Sequence, residues 1–250
     1  MNASRTEILG RIRRALVNPN RTHWHGDQPQ VINTERLFAS STIDSSLTAS
    51  RFQEESEQVG GETTLCPDIH SALQSIQDLI LASGYSQVAI SNHEICLHHQ
   101  LIKKLSAILP KVRFVTERLD SENRFARQRN SRNIAQVDLA ITGAEYLIAD
   151  TGTIVLTTNL DASRQMSLLP RAHLVLATSD QIYPNLATLL NQMESTLIPG
   201  HLPTALTLIT GPSRTADIEK VLVKGAHGPV RQLTFVLNAN NPKEEPGFKR

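Results

Sequence analysis

Three clusters in the second half of the chain combine chemically active side chains with turn-forming residues. In TGAEYLIADTGT, Thr142–Thr153, Gly143 lets the backbone turn without a Cβ clash, and Glu145 places a carboxylate just past an apolar run. A carboxylate there can serve as a general base toward a bound substrate. Asp150, Thr151, Gly152 and Thr153 make a second small-residue turn in the same stretch and, with Gly143, are expected to line an anion site shared with the loop after the 205–210 strand. In GPSRTADIE, Gly211–Glu219, a strand enters a loop that leads toward a helical turn. That loop offers backbone N–H groups, the hydroxyls of Ser213 and Thr215, and the Arg214 guanidinium to an anion. Gly211 and Asp217 belong to the same candidate anion site. In GAHGP, Gly225–Pro229, an imidazole at His227 can act as acid, base or hydrogen-bond donor.

Each cluster also has a plainer explanation. Asp and Gly form turns without any ligand, Thr215 can be the N-cap of a helix, and a turn histidine can bond to a carbonyl. GPSRTADIE is not a Walker loop, because the spacing and the lysine are wrong, and the chain carries no G-x-S-x-G, H-E-x-x-H or G-x-G-x-x-G. HEICLHH, His93–His99, gathers histidines, a glutamate and a cysteine. His93 and His98 are not spaced to share one helix face, so no metal site is expected there.

The elements that must position these residues alternate. Ala72, Leu73, Ile76, Leu79 and Ile80 form a helical stripe ended by Gly84, and QVAIS (Gln87–Ser91) is a strand. Ile95, Ile102, Leu105 and Leu109 form the next stripe, closed by Pro110, and VRFVT (Val112–Thr116) follows as a strand. This is a βαβ unit, and it argues for a parallel sheet. VDLAIT (Val137–Thr142), TIVLTT (Thr153–Thr158), HLVLAT (His173–Thr178), ALTLIT (Ala205–Thr210) and LTFVL (Leu233–Leu237) continue the series. Tyr183–Met193 is expected to be the helix between HLVLAT and ALTLIT.

The expected class is α/β, a Rossmann-like layered domain with a mainly parallel sheet. Two segments flank or interrupt this pattern. Residues 1–50 read as an amphipathic helix, Ser4–Leu16, followed by a polar extended arm, and residues 51–250 as the α/β domain. The helix carries a Ser4/Glu7 capping box and packs on the domain or on the second copy of a homodimer. Glu117–Gln136, with Arg118, Arg124, Arg127, Arg129 and Arg132, is a solvated helix or an anion-facing lid.

Composition narrows the function. The chain has 250 residues with 25 Lys plus Arg against 24 Asp plus Glu, so there is no global field for gripping nucleic acid. An aromatic share of 4% argues against base-stacking platforms. Two cysteines are too few for a disulfide scaffold or for a self-sufficient iron–sulfur cluster. If the chain takes part in electron transfer, the metal sits on a partner. No apolar run is long enough to span a membrane and no signal peptide is seen, so a cytoplasmic location is expected.

ADTGTIVL (Ala149–Leu156), LLPRAHLVL (Leu168–Leu176) and ITGPSRTADIEKVLVKGAHGP (Ile209–Pro229) resemble the signatures of the LUD family of lactate-utilization proteins. The opening SRTEILGRIRRAL is also similar to that family's N-terminus. The resemblance implies a fold related to the sugar-phosphate isomerase and CoA-transferase group, with residues 51–250 as the LUD-type domain. It implies a non-redox subunit that helps oxidise L-lactate to pyruvate with two iron–sulfur partner proteins, which carry the clusters, while this chain holds no cofactor of its own. More distantly, GAE followed by ADTGT is similar to the acidic active-site segment of sugar-phosphate isomerase relatives. On that basis the alternative is a stand-alone enzyme acting on a phosphorylated or CoA-linked metabolite, with Glu145 as base and His227 assisting.

Overall fold

The computed structural model describes residues 7–10, 45–116, 131–158, 164–196, 205–215, 223–225 and 227–239. The chain divides into two compact units, Met1–Ala39 and Ser40–Arg250. In the first unit residues 7–10 are helical; the rest of the expected opening helix and the arm up to residue 44 lie outside the described residues. So do Arg118, Arg124, Arg127 and Arg129, whereas Arg132 lies in a helical stretch at 131–135.

The second unit is built on a parallel sheet. Its strands are β1 (Glu62–Cys66), β2 (Gln87–Ile90), β3 (Arg113–Thr116), β4 (Leu139–Gly143), β7 (Ala172–Thr178) and β12 (Arg231–Leu237), in the order β1-β12-β7-β4-β2-β3. Every pairing in this sheet is parallel. Such strands are covered on both faces and therefore read as continuous apolar runs rather than as alternation. The residues of β4 are buried throughout, as LAITG suggests.

Helices α2 (Ile69–Ser83), α3 (Glu94–His98) and α4 (Leu101–Ile108) pack on one face of the sheet through Ile76, Ile80, Leu101 and Leu105. The α2 stripe behaves as its spacing dictates. Asp68 accepts a 2.8 Å hydrogen bond from the Ser71 N–H at its start, and Gly84 takes the left-handed conformation, φ 66°, at its end. The next stripe is split, because Gln100 adopts φ 50° between α3 and α4. The opposite face is covered by α1 (Ser45–Gln58), whose Phe52 is fully buried, by α5 (Gln165–Leu168) and by a second sheet. Residues 45–50, expected to end the extended arm, are thus the first turns of α1, with Thr48 and Ala49 buried.

The second sheet corrects the reading of TIVLTT and ALTLIT as further parallel strands. It contains β5 (Tyr146–Ile148), β6 (Thr153–Thr158), β8 (Ile182–Tyr183) and β9 (Ala205–Thr210), in the order β8-β5-β6-β9. Its β5–β6 and β6–β9 pairings are antiparallel. Only ADTG, residues 149–152, joins β5 to β6, and so short a connection cannot cross over to a parallel neighbour.

The expected helix from Tyr183 also starts later. Tyr183 precedes a proline, which disfavours helical backbone, and it pairs with Ile148 instead. Helix α6 (Leu186–Thr196) follows, with the Asn185 side chain accepting from the Thr188 N–H at 2.8 Å. Among the described residues no helix is long and apolar enough to cross a membrane.

The order of the large sheet fixes where its loops diverge. From β2 the chain moves outward to β3, then returns past β2 to β4 and continues to β7 on the other side. The connections leaving β2 and β4 therefore part company at the carboxyl ends of neighbouring strands, which is where open α/β sheets hold ligands.

Candidate functional site

At that divergence the chain places His93, three residues beyond β2, against Glu145, two residues beyond β4. The His93 Nε2 lies 3.6 Å from Glu145 Oε1. His93 is positioned by its own loop: its N–H donates to Ser91 Oγ at 3.3 Å, and its Nδ1 accepts from the Ile95 N–H at 3.3 Å. With Nδ1 accepting, the proton belongs on Nε2, which faces the carboxylate. The ring lies against Gly143, where a Cβ would come within 2.0 Å of Nδ1. Gly143 thus leaves room for an imidazole.

Glu145 is fixed by two further residues, Thr157 and Gln181. Its Oε1 accepts from Thr157 Oγ1 at 2.7 Å and its Oε2 from the Thr157 N–H at 3.0 Å, both on β6. Its carbonyl and that of Ala144 accept from the Gln181 amide, at 3.2 and 2.6 Å, and Gln181 in turn accepts from the Thr178 N–H at 2.7 Å. Burial pushes the carboxyl's pKa up, but the close approach of His93 and the hydrogen bonds from Thr157 outweigh it and hold Glu145 below the usual carboxylate range. About 25% of the side chain remains exposed. The arrangement is an ionised, oriented acceptor open to one side.

The other sequence clusters assemble at the opposite edge. Thr153 and Thr210 are register partners on β6 and β9, and the hydroxyls of Thr151, Thr153 and Thr210 form a chain with links of 2.8 Å. The segments around 150 and 210 are therefore brought together. What fills the space beside their glycines is α1. A Cβ on Gly152 (φ 59°) would lie 2.2 Å from the Ser56 backbone N, and one on Gly211 (φ 74°) 2.6 Å from the Val59 carbonyl oxygen. The Arg214 guanidinium donates to that same Val59 carbonyl, just beyond the C-terminal end of α1. A cation there is favoured by the helix dipole.

The expected loop donors are partly spent. The Ser213 N–H donates to Pro229 O at 2.9 Å, and Ser213 O accepts from Gly225 N–H at 2.8 Å. Thr215 does not begin a helix: β10 (Arg214–Thr215) pairs antiparallel with β11 (Val223–Lys224). Asp217 lies outside the described residues. The Asp150 N–H donates to Pro184 O at 3.1 Å, while its buried Oδ1 has no hydrogen-bond partner. His227 is exposed in the loop entering β12, next to Gly228, which approaches Ser213.

These residues do not join Glu145. Glu145 bonds Thr157 near one end of β6, whereas Thr153 begins the strand. Four residues of strand separate the two by about 13 Å. His227, in the loop that precedes β12, stands at the amino edge of the parallel sheet, and Glu145 stands at the carboxyl edge. The pairing of Glu145 with His227 expected from the sequence is not formed; His93 occupies that place. The signal for His93 is the one that marks Glu145, a polar side chain just past an apolar strand; its metal-ligand neighbours in HEICLHH point to zinc instead and hide it.

Within the sheet, His173 is fully buried between Thr142 Oγ1 at 2.9 Å and Gln232 Oε1 at 3.0 Å. Burial lowers its pKa to about 4 against the opposing hydrogen bond it gives to Gln232 Oε1, so it is a neutral structural link across β4, β7 and β12.

A six-stranded parallel sheet with helices on its faces places the chain in the general class of open, layered α/β folds. The particular family is shown by the sequence: residues 49–237 match the LUD domain, and the chain belongs to that family. Among its relatives, Lactate utilization protein C of Halalkalibacterium halodurans is 35% identical over 103 residues, covering 41% of this chain and 45% of that protein. Lactate utilization protein C of Bacillus subtilis is 34% identical over 112 residues, covering 44% of this chain and 47% of that protein. The matched stretch spans about half the length of these curated relatives. A DUF162 family protein from Deinococcus radiodurans shares the fold, with a TM-score of 0.51 and 17% identity over 78% of this chain and 99% of that one.

Proposed function

We propose that the chain serves lactate utilization in the cytoplasm as the non-redox subunit of an L-lactate-oxidising assembly, working beside two iron–sulfur proteins. The observation that carries this reading is the similarity to the two proteins named Lactate utilization protein C, at 35% and 34% identity. The division of labour follows from the cysteines. Cys66 and Cys96 are both buried, and burial raises their thiols to about 11 and about 12, a poor start for cluster ligation. The clusters would therefore reside on the partners.

A small anion would bind along Thr151, Gly152, Ser213, Arg214 and Thr215, where the guanidinium keeps donors beyond the one given to Val59. The test is isolation of the tagged full chain from lactate-grown cells. Cysteine-rich iron–sulfur proteins are expected to come with it, and their consistent absence would remove the reading.

A second reading is favoured by the way three segments, carrying His93, Thr157 and Gln181, converge on Glu145. In it the chain is itself an enzyme acting on a phosphorylated or CoA-linked metabolite, with Glu145 taking a proton from a carbon beside a carbonyl. Turnover by the isolated chain, lost in Glu145→Gln, would support it.

A further inference from the structure

The structure assigns His93 a role of its own: it is the positioning residue that makes Glu145 the acceptor of the crevice between the ends of β2 and β4. This rests on the second reading above only for what the acceptor then does.

Glu145 Oε1 has one firm hydrogen bond, from Thr157 Oγ1, and Oε2 has one, from the Thr157 N–H. A carboxylate accepts about four, so its remaining capacity faces the open side. His93 approaches from the β2 side, opposite in origin to the β6 contacts, and its Nε2 stands 3.6 Å from Oε1. At that separation the ring guides the carboxylate without saturating it, and an incoming O–H or N–H donor can still be accepted. Thr157 and Gln181, the other groups packed on Glu145, are neutral hydrogen-bond donors; His93 presents its Nε2–H dipole to the carboxylate from the β2 side.

The device extends one residue further. The ring can occupy this position because residue 143 lacks a side chain: a Cβ would lie 2.0 Å from Nδ1, 2.4 Å from Cγ and 2.5 Å from Cε1. Gly143 ends β4 in a fully buried strand, so the backbone there cannot move aside without disturbing the sheet. Nδ1 is in turn held by the Ile95 N–H. Strand end, glycine, imidazole and carboxylate therefore form one linked arrangement. Two unrelated substitutions, His93→Leu and Gly143→Ala, should disturb it in the same way.

The experiment is a pH titration of the Glu145 side-chain carboxyl by carbon NMR in the full chain, alongside His93→Leu, Gly143→Ala and His93→Gln. Loss of the imidazole is expected to raise the Glu145 midpoint by about one pH unit. Gly143→Ala, which displaces the ring, should move it in the same direction. His93→Gln keeps a side-chain N–H donor of similar reach and should restore most of the shift. The Thr157 amide signal reports whether the β6 contacts survive in each variant. An unchanged Glu145 midpoint in His93→Leu with the Thr157 amide in place overturns the assignment. So does a shift that His93→Gln fails to reverse. Neither result touches whether Glu145 takes a substrate proton, which Glu145→Gln turnover decides separately.

Discussion

The two edges of the parallel sheet carry the same kinds of sequence signal and use them differently. At the amino edge, Gly152 and Gly211 take left-handed backbone so that α1 can pack against them, and Arg214 closes the end of that helix. At the carboxyl edge, Gly143 makes room for an imidazole, and the loop after β2 and strand β6 hold one partly exposed carboxylate. A glycine-rich turn after a strand is thus not by itself a site; what stands where its missing Cβ would be decides. Helix backbone fills that place at one edge, and a titratable ring fills it at the other.

The contrast predicts different penalties. Gly152→Val adds left-handed strain of ~1–2 kcal/mol to overpacking against the Ser56 backbone of ~1–3 kcal/mol. Urea unfolding should therefore show a loss of about 2–5 kcal/mol, and a near-normal midpoint would mean α1 does not seat there. His173→Ala removes a fully buried ring and leaves Thr142 and Gln232 facing a void. It should cost about 3 kcal/mol by the same measurement.

Acid should weaken the fold from both parts of the molecule. His173 holds its pKa near 4 instead of 6.5, so between those values the unfolded chain binds a proton that the folded chain refuses. Stability therefore falls as pH drops across that window. Glu145, held below the usual carboxylate range, adds stability above its unfolded value and gives it up as pH falls through its folded value. Unfolding midpoints measured from pH 7 to pH 4 should decline throughout. In His173→Ala the decline between pH 6.5 and pH 5 should flatten.

The smallest effect belongs to Arg214. Its side chain is exposed, and loss of a cation at a helix C-terminus costs roughly 0.3–1 kcal/mol. Arg214→Ala should shift the urea midpoint only slightly while weakening binding of an anion such as phosphate. Unaltered phosphate binding would confine Arg214 to helix capping.

Much of the frame was legible in the sequence. The α2 stripe, its Gly84 stop and the strands at QVAI, VDLAIT, HLVLAT and LTFVL follow from periodicity and turn chemistry, because burial on both faces leaves continuous apolar runs. Strand partnership was not legible. TIVLTT looks the same whether its neighbour is parallel or antiparallel, and only the length of ADTG distinguishes the two. The start of α1 was obscured because Ser45–Ser50 carry a single large apolar residue, the exposed Leu47, and Phe52 does the packing. Glu145 was visible as a carboxylate past a strand. His93 met the same rule but is 52 residues away in the chain, and its nearness to Glu145 depends on β2 and β4 being neighbours.

Glu145 at the carboxyl edge is the acceptor through which the second proposed reading would act. Turnover of phosphorylated or CoA-linked carbonyl metabolites by the isolated chain tests it most directly, with wild type and Glu145→Gln compared once urea unfolding shows both to be folded. The expected result is a fall of roughly a hundredfold or more in the variant, with the fold intact. Undiminished turnover by folded Glu145→Gln would contradict it.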